Sequence, residues 1–197
     1  MAVAALVLLG LYLALATVRP LVRTRRSTGS WQVRLTPGSG RFVGALFPLA
    51  NALVVLAPVL DLTSTLHRFS VVIGPVAGGV GVALAAGALP LIVWAQDAMG
   101  ASWRIGVDPG ERTNLVTAGP FRFVRNPIYT GMVMMAVGVF VMVPNGVSLA
   151  AVAVYLVAVQ LQVRAIEEPY LRHIHGESFQ RFLTRSGRFL PGIGRQL

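Results

Sequence analysis

Five apolar runs, at about residues 2–18, 42–60, 71–95, 128–143 and 147–163, constrain this chain more than any motif in it. A helix rising 1.5 Å per residue needs roughly 20 residues to cross about 30 Å of hydrocarbon. The runs are continuous rather than alternating, so they predict helices and not barrel strands. The fourth is short, about 24 Å as a helix. Only Pro144, Asn145 and Gly146 separate it from the fifth, and these turn formers predict a tight antiparallel helical hairpin. At 55% apolar and 12% charged residues the composition lies outside that of a soluble domain. The chain reads as all-α, a polytopic membrane bundle of about five transmembrane helices. It forms a single membrane domain over residues 1–197, with three N-terminal spans in 1–95 and, in 96–197, the hairpin 128–163 and the polar segments.

The arginines orient the bundle. Six lie between the first two runs, four between the third and fourth, and six after the fifth, so only Arg68 falls on the other side. Positive residues concentrate on the cytoplasmic side of short loops, which predicts the N-terminus outside and the C-terminus in the cytoplasm. The first run reads as a retained helix and not a secretory leader, because Arg19, Arg23, Arg25 and Arg26 follow it and no basic residue precedes it. The net charge of +10 is then explained by loops beside an anionic leaflet, and a nucleic-acid role is set aside. With no cysteine, thiolate catalysis and thiolate metal sites are excluded, and no metal site is predicted. The absence of both cysteine and lysine points to a bacterial plasma membrane.

Function should lie where polar side chains gather, in residues 96–126 and from 160 onward. Arg125, Asn126 and Pro127 make a well-formed helix entrance, with Asn126 as N-cap and Pro127 at the first helical position. The same parts would bind a carboxylate, since free N–H groups at a helix N-terminus and a guanidinium attract anions. Glu167 and Glu168 are expected near the end of the fifth helix, close to Pro169, where the macrodipole disfavours negative charge. Arg164 could pair with either at helical spacing. Adjacent carboxylates point in different directions, however, and a cationic ligand would serve what one arginine cannot. A helix entrance that takes an anion beside a carboxylate pair suits a zwitterion with an extra positive centre, and S-adenosylmethionine is such a molecule.

The stretch Leu115 to Tyr129 (LVTAGPFRFVRNPIY) resembles the signature LVT-x-GPY-x-x-x-RHP-x-Y of the isoprenylcysteine carboxyl methyltransferases and their phospholipid methyltransferase relatives. Glu167-Glu168-x-x-Leu171, Gly176, Phe179, Phe182 and the closing Arg188-Phe189-Leu190-Pro191 are similar to that family's C-terminal pattern. The resemblance spans roughly residues 96–191. It implies a polytopic enzyme moving a methyl group from S-adenosylmethionine to a lipophilic acceptor, an isoprenylcysteine-like carboxylate or a lipid, that arrives from the bilayer. It also implies cofactor binding by Leu115, Val116, Thr117, Gly119, Pro120, Arg125, Asn126, Pro127, Tyr129, Glu167 and Glu168. Of these, Arg125 is expected to orient a carboxylate of cofactor or acceptor and Glu167 to hold the cofactor's ammonium, the two catalytic assignments. The chain departs from the pattern at Thr113, Phe121 and Asn126, where the family most often has histidine, tyrosine and histidine. Asn126 cannot titrate near neutral pH, so these departures bear on the acceptor.

Two other readings compete: an NADPH-dependent membrane reductase of the sterol reductase type, and a non-catalytic membrane scaffold. The reductase would need basic contacts for an extra phosphate, against which Glu167 and Glu168 count. The remaining features have plainer explanations. Trp31, Trp94 and Trp103 are expected as interfacial anchors, the glycines of the third run as close-packing positions, and His173 and His175 as solvated surface. Phe179, Phe182 and Leu183 predict an amphipathic segment lying on lipid or on the bundle. Asp97 is read as a polar helix end.

Overall fold

The computed structural model describes residues 1–29, 39–69, 74–103 and 114–196; Trp31 and Thr113 lie outside them. Among the described residues seven α-helices appear in chain order: α1 (Ala2–Tyr12), α2 (Arg19–Thr28), α3 (Ser39–Leu62), α4 (Pro75–Met99), α5 (Pro127–Met142), α6 (Gly146–Leu161) and α7 (Glu168–Arg185), the last kinked at Gly176. No β-strand occurs among the described residues. Two π-helical turns, Leu13–Val18 and Gln162–Glu167, join α1 to α2 and α6 to α7 without a break. The protein is therefore a polytopic helical bundle of five rods. Four are long and apolar enough to cross a membrane, and α5, at 16 residues, is the short one.

Both π turns precede a proline, Pro20 or Pro169. Proline has no N–H and its ring crowds the carbonyl four residues back, so an α-helical turn there would leave that carbonyl unsatisfied. In the first rod the carbonyl concerned, Ala16 O, accepts a hydrogen bond from Gln96 Nε2 of α4 at 2.8 Å. In the second, Glu168 N–H reaches five residues back to Val163 O and the helix runs on. This corrects the expected helix end near Pro169. Glu167 and Glu168 stand inside a helix that runs on past them to a kink at Gly176, at a widened turn of the kind often found at functional sites.

The helices pack round a core that includes Ala5, Leu9, Val54, Ala88, Ile92, Met135, Val139 and Tyr155. The most extensive pairing is α4 with α5. It depends on Gly81 and Gly138: a Cβ on Gly138 would lie 2.7 Å from Gly81 O and 2.8 Å from Ala85 N. In lipid, where burial of apolar surface supplies no drive, such backbone approach is what holds helices together. At the far end of the bundle Asn145 caps α6 by accepting from Ser148 N–H at 2.9 Å, and its Nδ2 donates to Ala57 O at 3.3 Å. Asn145→Ala is expected to cost about 1–2 kcal/mol, since a cap and a buried bond are both lost. Thermal unfolding in micelles measures this, and an unchanged midpoint would refute it.

A second, smaller cluster sits at the arginine-rich end, where Ala95, Phe121, Phe179, Phe182 and Leu183 are buried together. The aromatic stripe of α7 thus packs on the bundle. Trp103, expected at the interface, is buried, whereas Trp94 is half exposed. Asp97 joins two rods by accepting from Arg19 at 2.7 Å and Arg23 at 2.5 Å.

Candidate active site at the entrance of α5

The segment before α5 is shaped by Gly119. Its φ of +60° lies in the left-handed region, and a Cβ there would come within 3.3 Å of Ala98 and Trp94. From it a short 3-10 turn, Gly119–Arg122, carries buried Pro120 and Phe121 into the smaller cluster. Pro120 O accepts from both Phe123 N and Val124 N, at 3.1 and 3.2 Å. Leu115 and Val116 pack against the same cluster, while Thr117 is exposed.

The C-terminal segment then folds back across this turn. Arg125 N–H donates to Gly187 O at 2.8 Å and Gly187 N–H to Phe123 O at 3.1 Å, a short parallel bridge. The Ser186 hydroxyl donates to Phe121 O at 3.2 Å, and Thr130 Oγ1 donates to Phe189 O at 2.7 Å. Asn126 occupies the N-cap position of α5, but its side chain makes no cap bond; its Nδ2 donates to Arg188 O at 3.0 Å. The expected capping role is therefore corrected: the amide fastens the returning segment. Pro127 is buried at the start of α5, where the lack of an N–H is harmless.

Arg125 is buried, only 6% exposed, and bridges three parts of the chain. Its NH1 donates to Leu183 O at 3.2 Å and to Ser186 O, and its NH2 to Gly194 O at 3.0 Å and to Glu168 Oε1 at 3.3 Å. Its Nε is a buried donor that has no acceptor among the described residues. Burial draws the Arg125 guanidinium below its usual range, opposed by the adjoining Glu168 carboxylate.

The two glutamates diverge, as adjacent helical residues must. Glu168 turns inward and is neutralised within the fold: besides Arg125, it accepts from Arg188 Nε at 2.8 Å and Arg188 NH2 at 3.0 Å, a two-pronged pair. Glu167 faces Tyr129 of α5. Tyr129 OH donates to Glu167 Oε1 at 2.5 Å, and Gln162 Nε2 donates to the same oxygen at 3.1 Å. Both donors are neutral. Arg164, the expected partner on the same helix, instead donates to Gln160 Oε1 at 2.7 Å. Among the described residues, then, Glu168 has cations and Glu167 has none.

Sequence reasoning did not single out Gln162. A polar side chain closing an apolar run, five residues before a glutamate, was the available signal, but that spacing brings two residues together only on a π turn. Arg188 was legible as part of a closing motif and not as the counter-ion of Glu168.

A family model described as phospholipid methyltransferase matches residues 76–178, from the start of α4 into α7. The chain belongs to the phospholipid methyltransferase family. No curated protein and no solved structure matches it. The matched region holds the Leu115 to Tyr129 stretch, the α5–α6 hairpin and both glutamates, while Arg188 and the returning segment lie beyond it. As a member of the phospholipid methyltransferase family, the protein is an integral membrane methyltransferase.

Proposed function

We propose that this phospholipid methyltransferase family member takes its methyl group from S-adenosylmethionine and transfers it to a lipophilic acceptor, a lipid or an isoprenylcysteine-like carboxylate, reaching the site from the bilayer. The observation that carries the reading is the unequal treatment of the two glutamates. A carboxylate away from water needs a cation or a full set of donors. Glu168 has both arginines, whereas Glu167 has two neutral donors, both on Oε1. The residues fit a donor with an ammonium group: Glu167 offers an anionic oxygen whose orientation Tyr129 and Gln162 fix.

When bound, S-adenosylmethionine supplies a methyl carbon already activated by its sulfonium. The protein's tasks are then positioning and exclusion of water. Glu167 holds the ammonium. Arg125 orients a carboxylate through Nε, the donor its structural bonds leave over, while its other nitrogens secure the returning segment. Leu115, Val116, Thr117, Gly119 and Pro120 form the wall, with Phe121 shutting the cluster behind it. Asn126 offers no base, so an acceptor that is already ionised needs least from this site. The arginine pattern supports a cytoplasmic site, and the composition a bacterial plasma membrane.

Calorimetry on the purified protein in micelles tests the reading. Wild type should bind S-adenosylmethionine and not NADPH, whose extra phosphate needs more than the single leftover donor of Arg125 and finds Arg188 already held by Glu168. Glu167→Gln keeps the side chain's shape and is expected to weaken binding about tenfold or more, the size of a charge-assisted hydrogen bond. Binding of NADPH alone, or undiminished affinity in Glu167→Gln, would defeat the assignment. The scaffold alternative requires that donor binding occur without turnover on any lipid acceptor.

A further inference from the structure

The first two spans lie outside the region that matches the family model, yet one of their side chains reaches the glutamate pair's surroundings. Phe47 of α3 stacks on the Tyr129 ring with centroids 5.7 Å apart and planes inclined by 27°. It is itself held on two sides. Tyr155 of α6 meets it edge-on at 6.5 Å, and Asn51 Nδ2 donates to Phe47 O at 2.9 Å. Asn51 is fixed in turn, because its Oδ1 accepts from Tyr155 OH at 2.8 Å. Pro48 follows Phe47 directly and removes the helical N–H that would reach Gly44 O.

We propose that Phe47 is a positioning residue for the donor site: it sets the plane of Tyr129, and through the Tyr129 hydroxyl it sets which way the Glu167 carboxylate faces. A phenol can place its O–H on a chosen carboxylate oxygen only if its ring plane is fixed, and a stacked partner restricts that plane more than an aliphatic one does. Tyr129 and Gln162 both donate to Oε1, which turns Oε2 toward a ligand. The second span, α3, then takes part in donor binding without touching the donor. The consequence for binding rests on the donor assignment above, but the effect on Tyr129 does not.

Two measurements on the full chain in micelles separate these. In the first, with no donor present, a fluorotyrosine is placed at position 129 and its fluorine resonance recorded. Phe47→Leu, which keeps most of the volume, should move the resonance in the same direction as Glu167→Gln, and Phe47→Tyr should restore it. An unmoved resonance in Phe47→Leu overturns the proposal. In the second, S-adenosylmethionine affinity is measured by calorimetry. Phe47→Leu should weaken it about fivefold, but less than about twofold in a Tyr129→Phe background, where the hydroxyl that carries the coupling is gone. Equal losses in both backgrounds overturn the proposal. If wild type binds no S-adenosylmethionine, the donor assignment fails, and the fluorine measurement still decides the role of Phe47.

Discussion

Arg125→Ala is expected to lower the stability of the protein by about 3–5 kcal/mol, the cost of breaking a buried ion pair by removing one partner. The side chain is 6% exposed and serves Glu168 together with the carbonyls of Leu183, Ser186 and Gly194. Its loss leaves the Ser186 and Gly194 carbonyls in want of a donor, Leu183 O with the Gln196 N–H alone and Glu168 with Arg188 alone. Arg125→Lys should recover less than half, since an ammonium cannot span four acceptors in the geometry of a guanidinium. Unfolding in micelles without donor measures the loss, and limited proteolysis should cut the Arg125→Ala variant first between residues 186 and 196. Stability equal to wild type, with donor affinity lost, would instead make carboxylate binding the main work of Arg125.

Gly138→Val is expected to cost about 2–3 kcal/mol or more by separating α4 from α5. A single Cβ already comes within 2.9 Å of Gly81 O, Ala85 N and Ala85 Cβ, two of which are backbone atoms that no rotamer change can move. The helices must part along their length, and dispersion contacts cannot be regained from lipid. Because the short α5 carries Tyr129 at one end and this crossing near the other, donor binding should weaken along with stability. Gly146→Val is the control: a Cβ there has no neighbour within 4 Å. Equal unfolding midpoints for the two variants would refute the packing account.

The five rods could be read from the sequence because run length and apolarity are local properties, and α5 and α6 fall within two residues of their expected bounds. What could not be read was set at a distance. The run ending at residue 18 gave no sign that its helix continues to Thr28, since an arginine-rich helical turn looks like a loop to a hydropathy measure. Pro169 looked like a helix stop, and the π turn that accommodates it has no composition of its own. That Glu167 and Glu168 diverge followed from helical geometry. Which one the fold neutralises depended on Arg188, twenty residues on, and on a returning segment whose path is fixed by carbonyls and not by side-chain pattern. Asn126 illustrates the same limit. Its position was right and its bond was not, because the acceptor that captured it, Arg188 O, lies beyond reach of local rules.

The π turn at Gln162–Glu167 also divides one rod into two angular frames. Each α-helical residue advances about 100°, and the residue that a π turn absorbs offsets the helix after it by about that angle as far as the kink at Gly176. Before the turn, the inward direction is marked by Ala151, Tyr155, Ala158 and Val159; just after it, by Glu168, and beyond the kink at Gly176, by Phe179, Phe182 and Leu183. The membrane half and the α7 half of the rod can therefore each face their own neighbours without sharing one periodicity. Glu167 occupies the seam between the two frames, a place where a side chain is bound to neither inward direction and is free to face a third.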